Sequence, residues 1–314
     1  MAKFILRRSL QTVIVLILVC LIAFSILHMM PGDPALIILG EDASQAQIDA
    51  LRLELGLDQP VLVQYARWFT NMLHGDFGRS ILYHEDVSDL IATRLPITLH
   101  LSLVAFVLSA LIGIPAGVLS AVRRGDLTDS LISVSANIGI AVPIFWLGIL
   151  GIYLFSLKLG WLPVQGYTSP FDDLWLSTKR LVMPAACLSV VPIAVLARQT
   201  RSSMLEALHQ DYIRTARAKG LSENAVITGH GLKNAIIPVV TLLGLQARNL
   251  VGGSVLVETV FNVPGMGRLM VSGVFNQDYL VVQAGIIVIG IVVAVANLAV
   301  DISYGYLDPR IRHE

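Results

Sequence analysis

The feature that most constrains the fold of this chain is a series of six long apolar runs, each close to the ~20 residues that cross a bilayer as a helix. A soluble chain usually has about 25% charged residues, whereas only 14% of these 314 residues are charged. The sequence therefore predicts an all-α integral membrane protein with six transmembrane helices. The runs are Leu10–Met30, Ile97–Val122, Leu131–Leu157, Leu181–Met204, Ala235–Phe261 and Tyr279–Tyr304.

The distribution of lysine and arginine predicts the orientation. With the N-terminus inside, the inner segments hold 13 of these residues and the outer segments hold 8. Because cytoplasmic loops are enriched in lysine and arginine, we expect both termini to be cytoplasmic. The predicted division is an N-terminal transmembrane helix over 1–30, an extracytoplasmic helical region over 31–95, a five-helix core over 96–306 with a cytoplasmic loop over 205–234, and a cytoplasmic tail over 307–314.

The predicted extracytoplasmic region contains signals for three short helices. Ser44 and Gln47 have the spacing of a capping box. Pro60 can begin a second helix that ends at Gly75, and a third, weaker helix is predicted from Asp86 to about Arg94. The region is either a helical cap packed on the membrane helices or a docking surface for an extracytoplasmic partner.

The long polar interruption before the fifth run has a helical pattern broken by glycine. Gly220 interrupts an amphipathic pattern, and Ser222 has the residue type of a helix N-cap. One interpretation is an elbow that fits a groove on another protein. The other is a connector on the inner leaflet, with Arg214, Arg217 and Lys219 near lipid phosphates.

The residue types needed for catalysis are not arranged in any recognisable site. A phosphate-binding loop requires a Gly-Lys pair, and the sequence contains none. The seven histidines have no metal-ligand spacing. The net charge of +0 creates no general attraction for nucleic acid. We therefore expect no catalytic residue, no metal site, no bound cofactor and no nucleic-acid partner.

Polar residues inside the fifth run are candidates for function, because a charge at the centre of a bilayer costs about 2.5–3.5 kcal/mol on insertion scales. They either line a translocation path or hold the helix bundle together through hydrogen bonds and an ion pair. These residues are Gln246, Arg248, Asn249 and Glu258.

Glycine and proline inside the runs predict packing and bends. Pro115, Pro143 and Pro192 are expected to bend their helices, Pro143 in the third run. Close helix packing is predicted at Gly113, Gly117, Gly252, Gly253, Gly285 and Gly290.

The segment Tyr212-Ile-Arg-Thr-Ala-Arg-Ala-Lys-Gly-Leu221, followed by His230-Gly-Leu-Lys-Asn-Ala-Ile-Ile-Pro238, resembles the Glu-Ala-Ala loop of binding-protein-dependent ABC transporter permeases, in the dipeptide/oligopeptide/nickel class. Further matching stretches occur in the family's order across nearly the whole chain. They are Met30-Pro-Gly-Asp-Pro34, Leu55-Gly-Leu-Asp-Gln-Pro60, Gly75-Asp-Phe-Gly78 and Glu258-Thr-Val-Phe-Asn-Val-Pro-Gly-Met-Gly267.

The resemblance implies a type I ABC importer permease fold in a bacterial inner membrane. It implies a second homologous permease subunit, two ATP-binding subunits that use ATP and magnesium, and an extracytoplasmic solute-binding protein, with membrane lipid around the chain. The family's coupling helix docks on the ATP-binding subunit. It maps onto Tyr212, Arg214, Thr215, Ala216, Arg217, Lys219, Gly220, Leu221, Ser222, Glu223 and Asn224.

Two departures from the family pattern concern the loop. Arg214 stands where the general family has a glutamate six residues before its glycine. Lys233 stands where the family has a proline, and the proline of this chain comes later, at Pro238. The docking role remains expected, whereas an ion pair through the missing carboxylate is not.

A final hypothesis concerns the stretch after the fifth run, where Pro264-Gly-Met-Gly267 cannot continue a helix. It is either a contact surface for the solute-binding protein or a tight turn packed on the bundle. The candidate contact residues are Pro264, Gly265, Met266, Gly267 and Arg268.

The function expected from the resemblance is import of dipeptides, oligopeptides, glutathione or nickel chelates. The alternative is a secondary transporter driven by an ion gradient, with Glu258 or Asp301 as the coupling carboxylate.

Overall fold

The computed structural model describes residues 2–29, 44–56 and 58–307. Within these residues the regular elements are helices, apart from one isolated β-bridge between Arg79 and Asp86. The helices are α1 (Ala2–Met29), α2 (Gln45–Leu55), α3 (Val61–Leu73), α4 (Val87–Val122), α5 (Leu127–Ala141), α6 (Ile144–Gly151), α7 (Leu174–Leu208), α8 (Asp211–Ala218), α9 (Lys233–Val260), α10 (Met266–Phe275) and α11 (Tyr279–Leu307). A π-helical segment, Ile152–Lys158, continues α6. A short turn, Glu223–Ala225, and a second π-helical segment, Val226–Leu232, connect α8 to α9.

The predicted third transmembrane run is a bent pair of helices. Within the described residues, five helical segments are long and apolar enough to cross a membrane, and the pair formed by α5 and the helix after it makes six. The two halves meet at an angle of 103°. Pro143 stands at the break, where it has no N–H to donate to the preceding turn. The expected bend is present, but the single helix expected over Leu131–Leu157 is not.

A second correction concerns the predicted third extracytoplasmic helix. The structure has no separate helix from Asp86 to about Arg94, because Val87 begins the 36-residue α4. Pro96 lies inside this helix and does not end it. The buried Val87 and Leu90 pack against Met266 of α10, so tertiary contacts keep the segment helical through the proline.

The two other short helices form where the sequence predicts them. Ser44 and Gln47 make both hydrogen bonds of the capping box at the start of α2. Gly56 ends that helix with φ of +68°, a conformation that favours glycine. On α3, Tyr65 and Trp68 contact Phe24 of α1, with ring centroids 5.2 and 5.5 Å apart. These contacts support the interpretation of this region as a cap packed on the membrane helices.

The centre of the bundle is formed by α4 and α7, which approach closely at two glycines. A Cβ atom on Gly117 would lie 2.5 Å from the carbonyl oxygen of Ala197, and one on Gly113 would lie 2.9 Å from the Cβ of Leu196. Close packing also involves Gly285 and Gly290. Gly252 and Gly253 have no described atom within 4 Å of an added Cβ, so they make no close contact with the described part of this chain.

Hydrophobic clusters close the bundle at both ends. At one end, Ala121, Met204 and Ala235 join α4, α7 and α9 to the polar loop. At the other end, Val87, Met266 and Val281 join α4, α10 and α11. The loop and α10 therefore lie at opposite ends of the helix bundle.

Candidate functional site: a polar elbow and the polar groups of the bundle

The polar loop forms an elbow, defined as residues 211–232, at one end of the bundle. Its first arm is α8, and its second arm is the turn Glu223–Ala225 with the π-helical segment that follows. Gly220 lies between the arms with φ of +78°. The predicted helix–glycine–helix arrangement is therefore present. Ser222 occupies the predicted N-cap position, but its side chain makes no capping hydrogen bond.

The two arms of the elbow are held together from inside. Ile213, Ala216 and Val226 form a small buried cluster between them. Across the bend, Arg217 donates two hydrogen bonds to the Glu223 carboxylate, at 3.1 and 2.6 Å. These bonds hold the pKa of the Glu223 carboxyl below its ordinary value. The pair is therefore weakened as the pH falls and the carboxyl becomes protonated.

The elbow presents a polar surface with two apolar side chains. Tyr212 is 39% exposed and Leu221 is 42% exposed. Of the eleven residues predicted for docking, Ala216 is buried and packs inside the elbow, and Arg217 and Glu223 bind each other. The remaining exposed members are Tyr212, Arg214, Thr215, Lys219, Gly220, Leu221, Ser222 and Asn224.

A partly buried ion pair lies next to the elbow and was missed by sequence reasoning. Arg201 of α7 donates hydrogen bonds of 2.7 and 2.8 Å to the two carboxylate oxygens of Asp129 on α5. Ser120 of α4 donates a further bond of 2.5 Å to the same carboxylate. Three helices that converge near the elbow are thus joined at one point. The partners are 72 residues apart in the chain, so no local pattern indicates them.

The predicted polar residues of α9 separate into two groups. Gln246 and Asn249 share a face, as expected from their spacing, with 3.4 Å between the Asn249 amide nitrogen and the Gln246 oxygen. Arg248 contacts Asn249 through its Nε atom at 3.4 Å. Asn249 is exposed on the same side of α9 as Gly252 and Gly253. Gln246 is buried, so the exposed part of this face consists of Asn249, Gly252 and Gly253.

Glu258, the fourth predicted residue, lies apart in a buried site. Its side chain is 0% exposed. One carboxylate oxygen accepts hydrogen bonds from Thr98 at 2.7 Å and Ser254 at 2.9 Å. The other accepts a 3.0 Å bond from the backbone N–H of Arg268. The carboxylate therefore joins α4, α9 and α10 within the chain, which fits the interpretation of a group that holds the bundle together.

The glycines after α9 allow the chain to approach this carboxylate. A Cβ on Gly265 would lie 2.6 Å from a Glu258 oxygen, and one on Gly267 would lie 3.0 Å from it. Met266 is 0% exposed, so its side chain cannot contact a docked protein. This corrects its prediction as a contact residue. Of the five predicted residues, only Pro264 and Arg268 are partly exposed.

An open cavity of about 620 Å³ lies between α5, α7 and α9. Sequence reasoning did not identify it, although Arg198 is a charge in the last turns of an apolar run. The cavity is bounded near the elbow by Arg201 and Leu205. Its other polar lining residues are Ser133, Asn137, Arg198, Gln199 and Ser202.

Known proteins match the sequence of this chain over its full length. The family model of the binding-protein-dependent transport system inner membrane component matches residues 113–313, and the model of the N-terminal region of such membrane components matches residues 1–104. A putative peptide transport system permease protein of Brucella abortus (strain 2308) is 44% identical over 100% of both chains. The dipeptide transport system permease protein DppB of Alkalihalophilus pseudofirmus is 40% identical over 100% of both chains.

A solved structure shows the same fold. The inward-facing MetNI methionine ABC transporter matches 70% of this chain and 96% of the matched chain, with a TM-score of 0.56 and 20% identity. The chain belongs to the family of binding-protein-dependent transport system inner membrane components. It is an ABC importer permease of the peptide-transport class, located in the bacterial inner membrane, and is not itself the catalytic subunit. This membership excludes the ion-gradient alternative. The side chain of Asp301 lies outside the described part of the structure.

Proposed function

We propose that this permease carries di- or oligopeptides, or a similar small solute, through the membrane when two partner subunits hydrolyse ATP with magnesium. A second homologous permease completes the path, and an extracytoplasmic solute-binding protein delivers the solute. Both termini and the elbow face the cytoplasm. The peptide class is inferred from the peptide and dipeptide permeases that the chain resembles over its full length.

The observation that carries the proposal is the construction of the elbow. A surface that transmits force must be stiff, and the elbow is closed by a buried cluster and by the Arg217–Glu223 pair. It must also present side chains to a partner, and its exposed apolar groups are Tyr212 at the start of α8 and Leu221 beside the bend. Apolar and aromatic side chains surrounded by polar groups are typical of a docking surface.

The proposed translocation path runs along the exposed face of α9 and the cavity beside it. Asn249 offers hydrogen bonds on this face, and Gly252 and Gly253 leave room for a second subunit or for the solute. Towards the elbow, Arg198 brings positive charge to the 620 Å³ cavity. A cavity of this size fits within the range of about 300–1,000 Å³ of small-molecule sites.

Docking through the elbow is tested by strain at its bend. An alanine at φ of +78° costs about 1–2 kcal/mol. The strain opens the bend in the free variant and docking must close it again, so Gly220→Ala weakens retention of the ATP-binding subunit about 5- to 30-fold. Gly75→Ala is the matched control, because Gly75 has φ of +83° and open space around it, outside the elbow.

The measurement is the ATPase activity that co-purifies with the chain from native membranes in mild detergent. The proposal predicts loss of activity with Gly220→Ala and retention with Gly75→Ala. Equal retention by both variants would refute docking through the elbow. A wild-type chain that purifies without any ATPase would refute the partner assignment itself.

A further inference from the structure

At the end of the bundle opposite the elbow, two arginines line a small cavity. Arg94 comes from α4 and Arg268 comes from α10, and the cavity has a volume of about 140 Å³. The other lining residues are Tyr83, Pro264, Gly265 and Leu269.

Both guanidinium groups have unused donors. The Nε atom of Arg94 is buried without a hydrogen-bond partner, and its Nη1 atom is 3.4 Å from the Pro264 carbonyl oxygen. The Nη1 atom of Arg268 is 3.4 Å from the Asn262 carbonyl oxygen. A distance of 3.4 Å exceeds the usual range of an N–H···O bond. Neither arginine forms an ion pair with a carboxylate in the described part of the chain.

The carboxylate beside the cavity is already occupied. Glu258 lies against Gly265, but its oxygens accept bonds from Thr98, Ser254 and the backbone N–H of Arg268. An unpaired buried polar group is costly, and two guanidinium groups at one cavity repel each other. An anion supplied from outside would satisfy the free donors and relieve this repulsion.

We propose that Arg94 and Arg268 form a binding site for a single carboxylate group. Sites for whole small molecules have about 300–1,000 Å³, so a cavity of 140 Å³ fits one functional group rather than an entire peptide. Under the proposed function, on which this inference rests, the carboxylate is an acidic side chain of the docked solute-binding protein or the C-terminal carboxylate of the peptide.

The test uses the complete transporter in lipid nanodiscs and the binding protein that it co-purifies with. Arg94→Gln and Arg268→Gln remove one guanidinium each, and Arg94→Lys keeps the charge without the planar fork. Arg79→Gln is the matched control, because Arg79 donates to the His84 carbonyl and does not line the cavity. Affinity for the binding protein is measured at two salt concentrations, and uptake is measured with trialanine and with its C-terminal amide.

If the carboxylate is an acidic side chain of the binding protein, we expect each glutamine variant to weaken the affinity of the transporter for the binding protein about 10-fold or more. In that case uptake of trialanine and uptake of its amide fall equally. Arg94→Lys has an intermediate affinity for the binding protein, and Arg79→Gln has the affinity of the wild type. If the carboxylate is instead the C-terminus of the peptide, the glutamine variants keep the wild-type affinity for the binding protein. Only their uptake of trialanine with a free C-terminus falls. The proposal would be overturned if the glutamine variants kept both the wild-type affinity for the binding protein and the wild-type ratio of trialanine uptake to uptake of its amide.

The co-purified ATP-binding subunit distinguishes this failure from failure of the proposed function. If the wild-type complex contains the ATPase and binds the solute-binding protein but the arginine variants change nothing, only the carboxylate site is wrong. If the wild-type chain assembles with neither partner, the proposed function fails first.

Discussion

Replacing Glu258 by alanine should destabilise the bundle through two orphaned donors. The hydroxyl of Thr98 and the backbone N–H of Arg268 both lose their acceptor in a site that is 0% exposed. Ser254 keeps a second bond, to the Val251 carbonyl at 3.0 Å. At about 1–3 kcal/mol for each unsatisfied buried group, the cost is about 2–6 kcal/mol. Removal of a desolvated charge offsets part of this cost, which leaves about 2–4 kcal/mol.

The assay is thermal unfolding of the purified chain in detergent, followed by tryptophan fluorescence at one fixed scan rate. A domain of 150–250 residues loses about 2–4 °C of Tm per kcal/mol, so Glu258→Ala should lower the Tm by roughly 4–16 °C. Glu206→Ala is the matched control, because Glu206 is exposed on α7. A surface substitution of this kind usually changes stability by less than about 0.5 kcal/mol.

A double-mutant cycle separates the hydrogen-bond network from a simple loss of charge. Thr98→Val removes the bond to Glu258 and also leaves the Met266 N–H, 2.8 Å away, without its acceptor. Because the side chains at 98 and 258 share one network, the double variant should cost less than the sum of the single variants. Equal Tm values for Glu258→Ala and Glu206→Ala, or strict additivity in the cycle, would refute this account.

Two further predictions concern packing near the elbow. Gly117→Ala places a Cβ 2.5 Å from the Ala197 carbonyl oxygen and 2.5 Å from the Thr200 Cβ, so overpacking should cost about 1–3 kcal/mol; a Tm equal to that of the wild type would contradict the helix contact. Asp129→Asn removes one acceptor from the bidentate pair with Arg201, which should lower the Tm and loosen the elbow; protease cleavage of the loop at the wild-type rate would contradict that role.

The elements that could be predicted from the sequence are those with local causes. The capping box at Ser44 depends on a residue three positions away, and the break at Gly220 depends on its own backbone conformation. The bend at Pro143 follows from a missing N–H. In each case the necessary atoms lie within one turn of helix, so the residue pattern alone contains the information.

The parts that could not be predicted depend on distant contacts. Asp86 to Arg94 has the signals of a separate short helix, but packing of Val87 against α10 extends the helix through Pro96. Met266 stands between two glycines, as an exposed turn residue would, yet its side chain fills the core. Glu258 and its partner Thr98 are 160 residues apart. Only the fold brings such groups together.

The buried carboxylates of the described residues are bonded within the chain. Asp129 binds Arg201 at the elbow end, and Asp278 accepts bonds from the Ser80 hydroxyl and the Leu82 N–H at the other end. The central carboxylate that joins α4, α9 and α10 is likewise fully bonded. A protein that used a proton or ion gradient would need a carboxylate free to exchange its partner during transport. The polar groups left available here lie instead on the elbow, on one face of α9 and at the arginine cavity. This distribution fits the proposed function, in which a partner docked at the elbow supplies the energy.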